Sequence, residues 1–527
     1  MSTNISRRDF IKGAAVSAVG VAAIGVAGCG DQGNTDDTKK NAAEEFVKPD
    51  LAKAKYNVDI VIVGSGAAGM SAAVEAGQKG MKALLIETNS FLGGNTNFAE
   101  GIFGYNTKYQ QAQGLNYDLN KMIQGEMEFS NYMADYLIIK EFVLGSNANI
   151  EWLESMGLKF PGIVAGGEYK TQHLYPDKGK SLINVLKPQT EKSGVTILTS
   201  TRGRALYQEN GKIVGIAAEN DKETFAIRTN AVVLACSGFI QNPDMVAQLT
   251  KYNMDRMLVT ANPGHVGDSL IMAYEVGGDQ SSPPLFHLIW AGVEGVEIGS
   301  QLGVAACNEP ILWVDNFGQR FVDESVLIGQ VSRIDNALLN RKKTYSILDQ
   351  DQIVRMTQEP CTIGFGSYTF AGTKLDKLEE QLNEALSRKN KSIFKADTIE
   401  ELARQMGVEP TSLRATIDLN NKMYSEGKDT EFAKPAQYLR PIKTAPFYAF
   451  ELKANVFATM GGIRVNTKSE VLTKDFEPIP GLYCAGMDCG GLNGDTYSYL
   501  LTASAQGYAV YSGRNSVQNA LKYMGKA

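Results

Sequence analysis

One short segment near residue 60 constrains the fold of this chain more than any other part of it. Residues 59–63 form a β-branched run that predicts a buried strand, and a glycine-rich turn follows directly at residues 64–69. The next positions predict a helix over residues 70–80, and residues 83–87 predict a second buried strand. A strand, helix and strand within about thirty residues form a βαβ unit. The segment therefore predicts an α/β fold of the dinucleotide-binding, Rossmann-like type.

The glycines of the turn explain how such a unit would hold a ligand. Gly64 permits a tight turn, Gly66 lets a pyrophosphate approach the backbone, and Gly69 lets helix and strand pack closely. Backbone amides at the helix start, including those of Ala67 and Ala68, point at the phosphates.

An acidic residue completes the motif. Glu87 ends the second predicted strand, 18 positions after Gly69, where its carboxylate would accept a hydrogen bond from a ribose hydroxyl. A glycine turn without a ligand is the alternative, but it does not require the strand, the helix and the acid at these spacings.

Composition narrows the function classes. The chain has 527 residues, enough for one large unit or two tightly joined domains. Its net charge of −6 argues against nucleic-acid binding, which favours a basic patch. The 6 cysteines and 3 histidines show no spacing typical of a metal, haem or iron–sulfur site, so no metal is predicted.

The N-terminus predicts export. Residues 1–28 contain Arg7-Arg8 before an apolar run at 14–27, and Cys29 follows in a context that resembles a lipobox. The paired arginines resemble a twin-arginine (Tat) signal, whose pathway carries folded, cofactor-loaded proteins. Cys29 would then carry a lipid on the outer side of the cytoplasmic membrane, and polar residues 29–56 would form a flexible tether. An ordinary membrane anchor that happens to follow two arginines is the alternative.

Further motifs follow one another over nearly the whole chain after the tether, at residues 93–96, 149–153, 234–239, 267–268, 316–324, 446–448, 459–462 and 480–486. In their residues and their order they resemble the FAD-binding subunit of the fumarate reductase and succinate dehydrogenase flavoprotein family, in its soluble, flavocytochrome c-like branch but without haem. The resemblance implies a Rossmann-like (GR2-type) FAD-binding domain with an inserted α+β capping domain. The FAD-binding parts would be residues 57–280 and 441–527, and the capping domain residues 281–440.

The same resemblance implies which residues hold FAD. Carried over by position, the additional cofactor-binding residues are Gly94, Asn95, Thr96, Glu100, Gly101, Gly203, Asp268, Asp488, Thr502 and Ala503. Thr502 and Ala503, at a predicted helix start, would present amides to the flavin ring. Asp488 stands beside Met487, which replaces the family's usual glutamate. No histidine follows Gly94 where related membrane enzymes attach FAD covalently, so non-covalent FAD is predicted.

Departures from the family pattern indicate the substrate. Phe457-Ala458 replaces a histidine pair, Ile328 replaces the arginine that donates a proton, and Tyr497 replaces an arginine that clamps a carboxylate. Unpaired carboxylates are costly to desolvate, so fumarate is an unsuitable substrate. Phe457, Tyr497, Tyr499 and Trp290 instead predict a bulky, aromatic or steroid-like substrate.

Four residues are the predicted catalytic set: Tyr497, Tyr499, His287 and Arg333. The stretch Gly-Asp-Thr-Tyr that ends at Tyr497 is similar to one in ketosteroid dehydrogenases, where the tyrosine polarises a substrate carbonyl. Arg333 would supply a displaced proton donor. Three of the four have a structural alternative: Tyr497 and Tyr499 as packing residues, and His287 as a satisfied or surface histidine.

The sequence therefore predicts an extracytoplasmic FAD-dependent ene-reductase that passes hydride to a C=C bond conjugated to a carbonyl or carboxyl group. No haem or second nucleotide motif is present, so a membrane quinol-linked cytochrome is the predicted electron donor. Two alternatives stay open: a dehydrogenase of the ketosteroid type running in the opposite direction, and a flavin-bearing binding or electron-transfer lipoprotein.

Overall fold

The computed structural model of the chain describes residues 46–281 and 284–526. The predicted export signal, Cys29 and most of the predicted tether lie outside these residues. Within the described ranges, no helix combines the length and the apolar character that crossing a membrane requires.

The nucleotide-binding sheet has six strands, and the predicted βαβ unit lies at its centre. Its strands, in spatial order, are Glu470–Leu472, Pro478–Cys484, Ala231–Leu234, Ile60–Val63, Ala83–Ile86 and Thr196–Leu198. All pair in parallel except the first two, which are antiparallel. Every residue of the three central strands is buried, as expected where helices cover both faces of a parallel sheet.

Two helices that are far apart in sequence pack against each other over this sheet. The helix Ala67–Gln78 follows the glycine turn, and the last helix, Ser504–Tyr523, packs against it. A Cβ on Gly513 would lie 2.2 Å from the Ala68 carbonyl oxygen, so a side chain there would separate the helices. Arg514 Nε also donates to the Glu75 carboxylate at 2.9 Å. The C-terminal helix is thereby fixed beside the predicted phosphate-binding turn.

A second large sheet belongs to the capping region and is organised around the strand Phe447–Met460. Its other strands are Met257–Val259, Leu285–Val293, Leu312–Asp315, Thr344–Asp349 and Ile393–Ala396. These strands come from both sides of the predicted boundaries at 280/281 and 440/441. This sheet therefore contains strands from all three predicted segments, residues 57–280, 281–440 and 441–527.

The remaining elements complete the two regions. A four-stranded sheet contains Tyr56–Asn57, Thr224–Arg228, Lys212–Glu219 and Arg202–Glu209, and a three-stranded sheet contains Gly101–Phe103, Gln172–Leu174 and Ile163–Val164. The other helices are Lys108–Gln111, Leu119–Phe129, Tyr136–Ser155, Lys178–Lys192, Pro243–Leu249, Asp268–Glu275, Gln301–Cys307, Val331–Leu339, Gln350–Gln358, Leu378–Ser387, Ile399–Met406 and Pro410–Glu426.

Candidate active site

A cavity of about 1280 Å³ lies between the nucleotide-binding sheet and the capping region. Most of the predicted site residues line it: Gly64, Gly66, Ala67, Ala68, Glu87, Gly94, Asn95, Thr96, Glu100, Gly101, Gly203, Asp268, His287, Tyr497, Tyr499, Thr502 and Ala503. The fold thus brings positions from residue 64 to residue 503 around one space. Gly69, Asp488 and Arg333 are not among the lining residues.

The glycine turn has the geometry that a pyrophosphate cradle requires. Gly64 has φ of +102°, and a Cβ there would lie 2.3 Å from the Ala235 carbonyl oxygen. A Cβ on Gly69 would lie 1.8 Å from the Gly64 carbonyl oxygen, which explains why this glycine packs rather than lines the cavity. A Cβ on Gly66 would make only ordinary contacts, with the Thr96 hydroxyl at 3.6 Å and the Gly93 carbonyl oxygen at 4.0 Å. Gly66 therefore leaves room for a ligand against the backbone, as its motif position predicts.

Hydrogen bonds fix the acid and the polar residues around this cradle. Glu87 Oε2 accepts from the Ser65 amide at 2.9 Å and from the Ser65 hydroxyl at 2.6 Å, so the carboxylate is held at the turn. The Thr96 hydroxyl accepts from the Ala67 amide at 2.9 Å. Asn95 Nδ2 donates to the Phe457 carbonyl oxygen at 2.7 Å, which joins the cofactor loop to the central strand of the capping sheet.

Asp268 and Asp488, the two aspartates predicted to bind FAD, lie in different surroundings. Asp268 lines the cavity, where both its oxygens bond to Arg202, at 2.8 Å from Nε and 2.7 Å from Nη2. Asp488 is fully buried outside the cavity lining, and its carboxylate accepts from the amides of Ser237 at 3.0 Å and Gly238 at 2.6 Å. This position departs from the prediction for Asp488, because its oxygens brace a loop and its neighbour Met487 faces the cavity.

The start of the last helix faces the cavity, as the sequence predicts. Ala503 has φ of +67° and precedes the helix Ser504–Tyr523, and both Thr502 and Ala503 are lining residues. The Thr502 hydroxyl donates to the Tyr499 carbonyl oxygen at 2.9 Å, which fixes the turn. The helix N-terminus therefore presents positive partial charge to the cavity, suited to an electron-rich ring.

An aromatic cluster forms the wall on the capping side. The rings of His287 and Tyr497 have centroids 4.0 Å apart, those of Tyr497 and Tyr499 5.0 Å, and those of His287 and Phe457 5.8 Å. An irregularity in strand pairing between residues 288 and 291 coincides with φ of +67° at Trp290, which also lines the cavity. The wall suits a flat, apolar substrate.

Burial shifts the pKa values of the three titratable residues in this wall, His287, Tyr497 and Tyr499. Burial lowers the pKa of His287 to about 4, so its imidazole is neutral at pH 7. Burial raises the pKa of Tyr497 to about 12, although the Ser504 side chain and the Ala505 amide at the helix start act in the opposite direction. Burial also raises the pKa of Tyr499.

Arg333 departs from its predicted role as a displaced proton donor. Its side chain is exposed and its guanidinium carbon lies 4.4 Å from the centroid of the Phe129 ring. Ile328, at the family's proton-donor position, does line the cavity.

Two buried acids near the aromatic wall are absent from the predicted site. Glu126 and Asp335 are 3% and 0% exposed, and burial raises the pKa of Glu126 to about 7 and that of Asp335 well above its usual value. Each occupies an apolar helical stripe, with Met122, Ile123 and Met127 around Glu126. The sequence signal that could have revealed these two residues is an acidic side chain at a helix position whose neighbours three and four residues away are apolar.

A loop of the capping region, residues 366–368, contacts the nucleotide-binding region beside the cavity. The Ser367 amide donates to the Glu100 carboxylate, and a Cβ on Gly366 would lie 2.0 Å from a Glu100 oxygen. Lys178 Nζ lies 3.0 Å from the centroid of the Tyr368 ring. These contacts join the capping region to the nucleotide-binding region at the cavity mouth.

The residues present therefore fit FAD: an open glycine cradle, a fixed acid, a helix N-terminus and a cavity large enough to extend from the cradle to the aromatic wall.

Comparison with known proteins supports this assignment. A family model described as an FAD binding domain matches residues 59–496. The chain is 37% identical to a vinyl phenol reductase of Lactiplantibacillus plantarum, over 88% of this chain and 96% of that protein.

Two further relatives are more distant. A fumarate reductase (cytochrome) of Shewanella frigidimarina is 28% identical, over 90% of this chain and 79% of that protein. The solved structure of a 3-ketosteroid-Δ4-(5α)-dehydrogenase from Rhodococcus jostii, in complex with 4-androstene-3,17-dione, has a TM-score of 0.68 at 25% identity, over 90% of this chain and 99% of that one. The chain belongs to the FAD-binding family of fumarate reductase-type flavoproteins. It is an oxidoreductase that acts on carbon–carbon bonds, and FAD is its cofactor.

Proposed function

We propose that this protein is an ene-reductase for a bulky, aromatic or steroid-like substrate whose C=C bond is conjugated to an activating group, and that fumarate is not its substrate. The main support for excluding fumarate is the small number of positively charged side chains in the cavity. Among the described residues that line it, Arg202 is the one arginine or lysine, and its guanidinium bonds to Asp268. A dicarboxylate would therefore lose its hydration without gaining a cationic partner.

The relatives support the substrate class. The protein from L. plantarum is named for vinyl phenol, a small aromatic alkene, and it matches this chain along nearly its whole length. The ketosteroid dehydrogenase binds a steroid enone in the same fold. Phe457, Trp290 and the tyrosine pair give this cavity an aromatic wall that suits either class. We take 4-vinylphenol as the first probe.

The glycine turn around Gly64 and Gly66 would hold FAD non-covalently, and reduced FAD would be the source of the hydride for one alkene carbon. The chain's own residues then have two tasks. Tyr497, close to the helix N-terminus, orients the substrate by a hydrogen bond from its hydroxyl. Tyr499, whose hydroxyl makes no hydrogen bond within the described ranges, gives a proton to the other alkene carbon.

The test is anaerobic turnover by protein reduced with an artificial viologen donor. Tyr499→Phe removes the proton and should lower kcat by about 10²–10⁴-fold with little change in flavin content. Tyr175→Phe is the matched control, because Tyr175 is a buried tyrosine that lies outside the cavity lining and has no hydrogen-bond partner for its hydroxyl among the described residues. Equal turnover by Tyr499→Phe and the unmodified protein would exclude Tyr499 as the donor.

We also propose that the protein is exported by the Tat pathway, anchored through lipid on Cys29, and reduced by a membrane quinol-linked cytochrome. The sequence at residues 1–29 supports export and anchoring. Mass spectrometry of the protein from native membranes tests it: a lipid-modified N-terminal Cys29 is expected, and an unprocessed Met1 would contradict it.

A further inference from the structure

One buried histidine in the wall of the cofactor cavity has no part in the site described so far. His265 belongs to the loop 260–267, which joins the strand Met257–Val259 to the helix Asp268–Glu275. Its side chain lines the cavity, although the residue is only 4% exposed. The motifs that predict FAD binding do not include His265, so its place in the cavity wall follows from the fold alone.

The imidazole of His265 has no hydrogen-bond partner among the described residues. Burial lowers the pKa of the ring to about 4, so the ring is neutral at pH 7 and has one N–H donor. Nδ1 is enclosed by protein atoms, which leaves Nε2 as the ring nitrogen that a ligand in the cavity can reach. Buried polar groups in folded proteins nearly always have a partner. The ring therefore indicates a ligand that accepts a hydrogen bond at this wall.

The position of the loop along the cofactor site is fixed by Asn262. Its Oδ1 accepts from Asn89 Nδ2 at 3.2 Å, and Asn89 Nδ2 also donates to the Glu87 carboxylate at 2.8 Å. The Asn262 amide donates to Asn95 Oδ1 at 2.8 Å. Glu87 is the acid that the motif assigns to the ribose, and Asn95 belongs to the segment assigned to the flavin. The loop therefore lies between the two ends of the FAD site, where the diphosphate of FAD belongs.

The backbone around His265 is also closely held. A Cβ on Gly264 would lie 2.9 Å from Asn89 Nδ2 and 3.0 Å from Thr88 Cγ2, so the loop packs directly against the residues that follow the second motif strand. The Gln241 amide donates to the His265 carbonyl oxygen at 2.9 Å. Because the backbone is fixed before any ligand binds, the ring needs little reorganisation to form a hydrogen bond in the cavity.

The charges in the cavity make a donor at this place useful. Arg202 is the one arginine or lysine among the described lining residues, and its guanidinium bonds to Asp268. A diphosphate in the cavity must therefore be bound mainly by backbone amides and neutral side-chain donors. Hydrogen bonds to a charged acceptor are stronger than those between neutral groups.

We infer that His265 is a cofactor-binding residue whose Nε2–H donates a hydrogen bond to a phosphate oxygen in the diphosphate of FAD. The glycine turn at Gly64 and Gly66 binds the same group through backbone amides, so the diphosphate is held by two segments that are far apart in sequence. The inference concerns the cofactor and does not depend on which substrate the protein reduces.

The experiment measures FAD binding by equilibrium dialysis of the FAD-loaded protein. His265→Phe keeps a ring of similar size without a donor and should raise the FAD Kd at least about tenfold. His265→Gln, which keeps an N–H donor, should recover part of the affinity. His173→Phe is the matched control, because this buried histidine bonds to Thr107 and Thr171 and does not line the cavity. An unchanged FAD Kd in His265→Phe would overturn the inference.

A second readout identifies the part of FAD that His265 contacts. The phosphorus NMR signals of bound FAD should differ between His265→Phe and the unmodified protein, whereas the flavin absorption maxima should not. A shifted flavin spectrum with unchanged phosphorus signals would place the contact at the flavin ring and contradict the assignment to the diphosphate.

Nitrogen NMR of the unmodified protein tests the hydrogen bond even if His265→Phe does not fold. The chain has 3 histidines, so the imidazole signals of histidine-labelled protein are few. The His265 N–H of the FAD-loaded protein should exchange slowly with water, and its nitrogen should show a scalar coupling to phosphorus. Rapid exchange without such a coupling would overturn the inference, while the proposed reduction of 4-vinylphenol would be unaffected.

Discussion

Replacement of Asp335 by asparagine should stabilise the folded protein at neutral pH. The unfolded chain releases this proton near pH 3.9, whereas burial raises the pKa of Asp335 in the folded state. Keeping the acid protonated then costs about 1.36 kcal/mol for each pH unit above about 3.9, or about 4 kcal/mol at pH 7 as a ceiling. Asparagine has nearly the same shape and no proton to retain. The gain in free energy of unfolding should therefore lie between about 1 and 4 kcal/mol.

The direction with pH follows from the raised pKa. The folded form binds a proton that the unfolded form has released, so the contribution of Asp335 to the free energy of unfolding falls as pH rises above about 3.9. Urea unfolding of the FAD-loaded protein between pH 4 and pH 8 should show a gap between Asp335→Asn and the unmodified protein that widens with pH. Asp349→Asn is the matched control. Its carboxylate accepts from the Gln352 amide at 2.9 Å and the Lys443 amide at 2.7 Å, so this variant should lose about 1–3 kcal/mol. A less stable Asp335→Asn protein, or a gap independent of pH, would refute the reasoning.

Three other substitutions test the cradle, the capping loop and the aromatic wall. Gly69→Ala places a Cβ 1.8 Å from the first motif glycine, so the protein should lose FAD on desalting, measured by absorbance, whereas Gly162→Ala, in open space, should retain it. Gly366→Ala displaces the loop from Glu100 and should speed oxidation of the reduced flavin by air; an unchanged rate would show that this contact does not shield the cofactor. Tyr497→Phe should lower kcat by about 10²-fold, and unchanged kinetics would make the tyrosine a packing residue.

The nucleotide-binding half was predictable because its signals are local. A buried strand, three glycines and an acid at fixed spacing specify one βαβ unit, and the structure has strands Ile60–Val63 and Ala83–Ile86 around the helix Ala67–Gln78. Steric contacts within that unit, such as the one between Gly69 and Gly64, leave few alternatives. The cofactor residues outside the motif came from resemblance to a family, and their individual contacts with FAD stay predictions.

The capping region was less predictable because its pairing is long-range. The strand Phe447–Met460 pairs with Met257–Val259 and with Thr344–Asp349, and no spacing in the sequence specifies those partners. Asp488 and Arg333 illustrate the same limit, since their places in the sequence did not indicate which way their side chains point. The burial of Asp335 could have been predicted in part, because this acid interrupts an apolar helical stripe that includes Ile334 and Leu338.

The central claim is that the cavity reduces aromatic or enone C=C bonds and lacks the charges to bind fumarate. The most direct measurement is viologen oxidation by the FAD-loaded protein under anaerobic conditions, with 4-vinylphenol, a cinnamate, an enone steroid and fumarate supplied separately. We expect turnover with at least one of the first three and none with fumarate. Rapid turnover of fumarate would contradict the account, because Arg202 is bonded to Asp268 and no other arginine or lysine lies among the described lining residues.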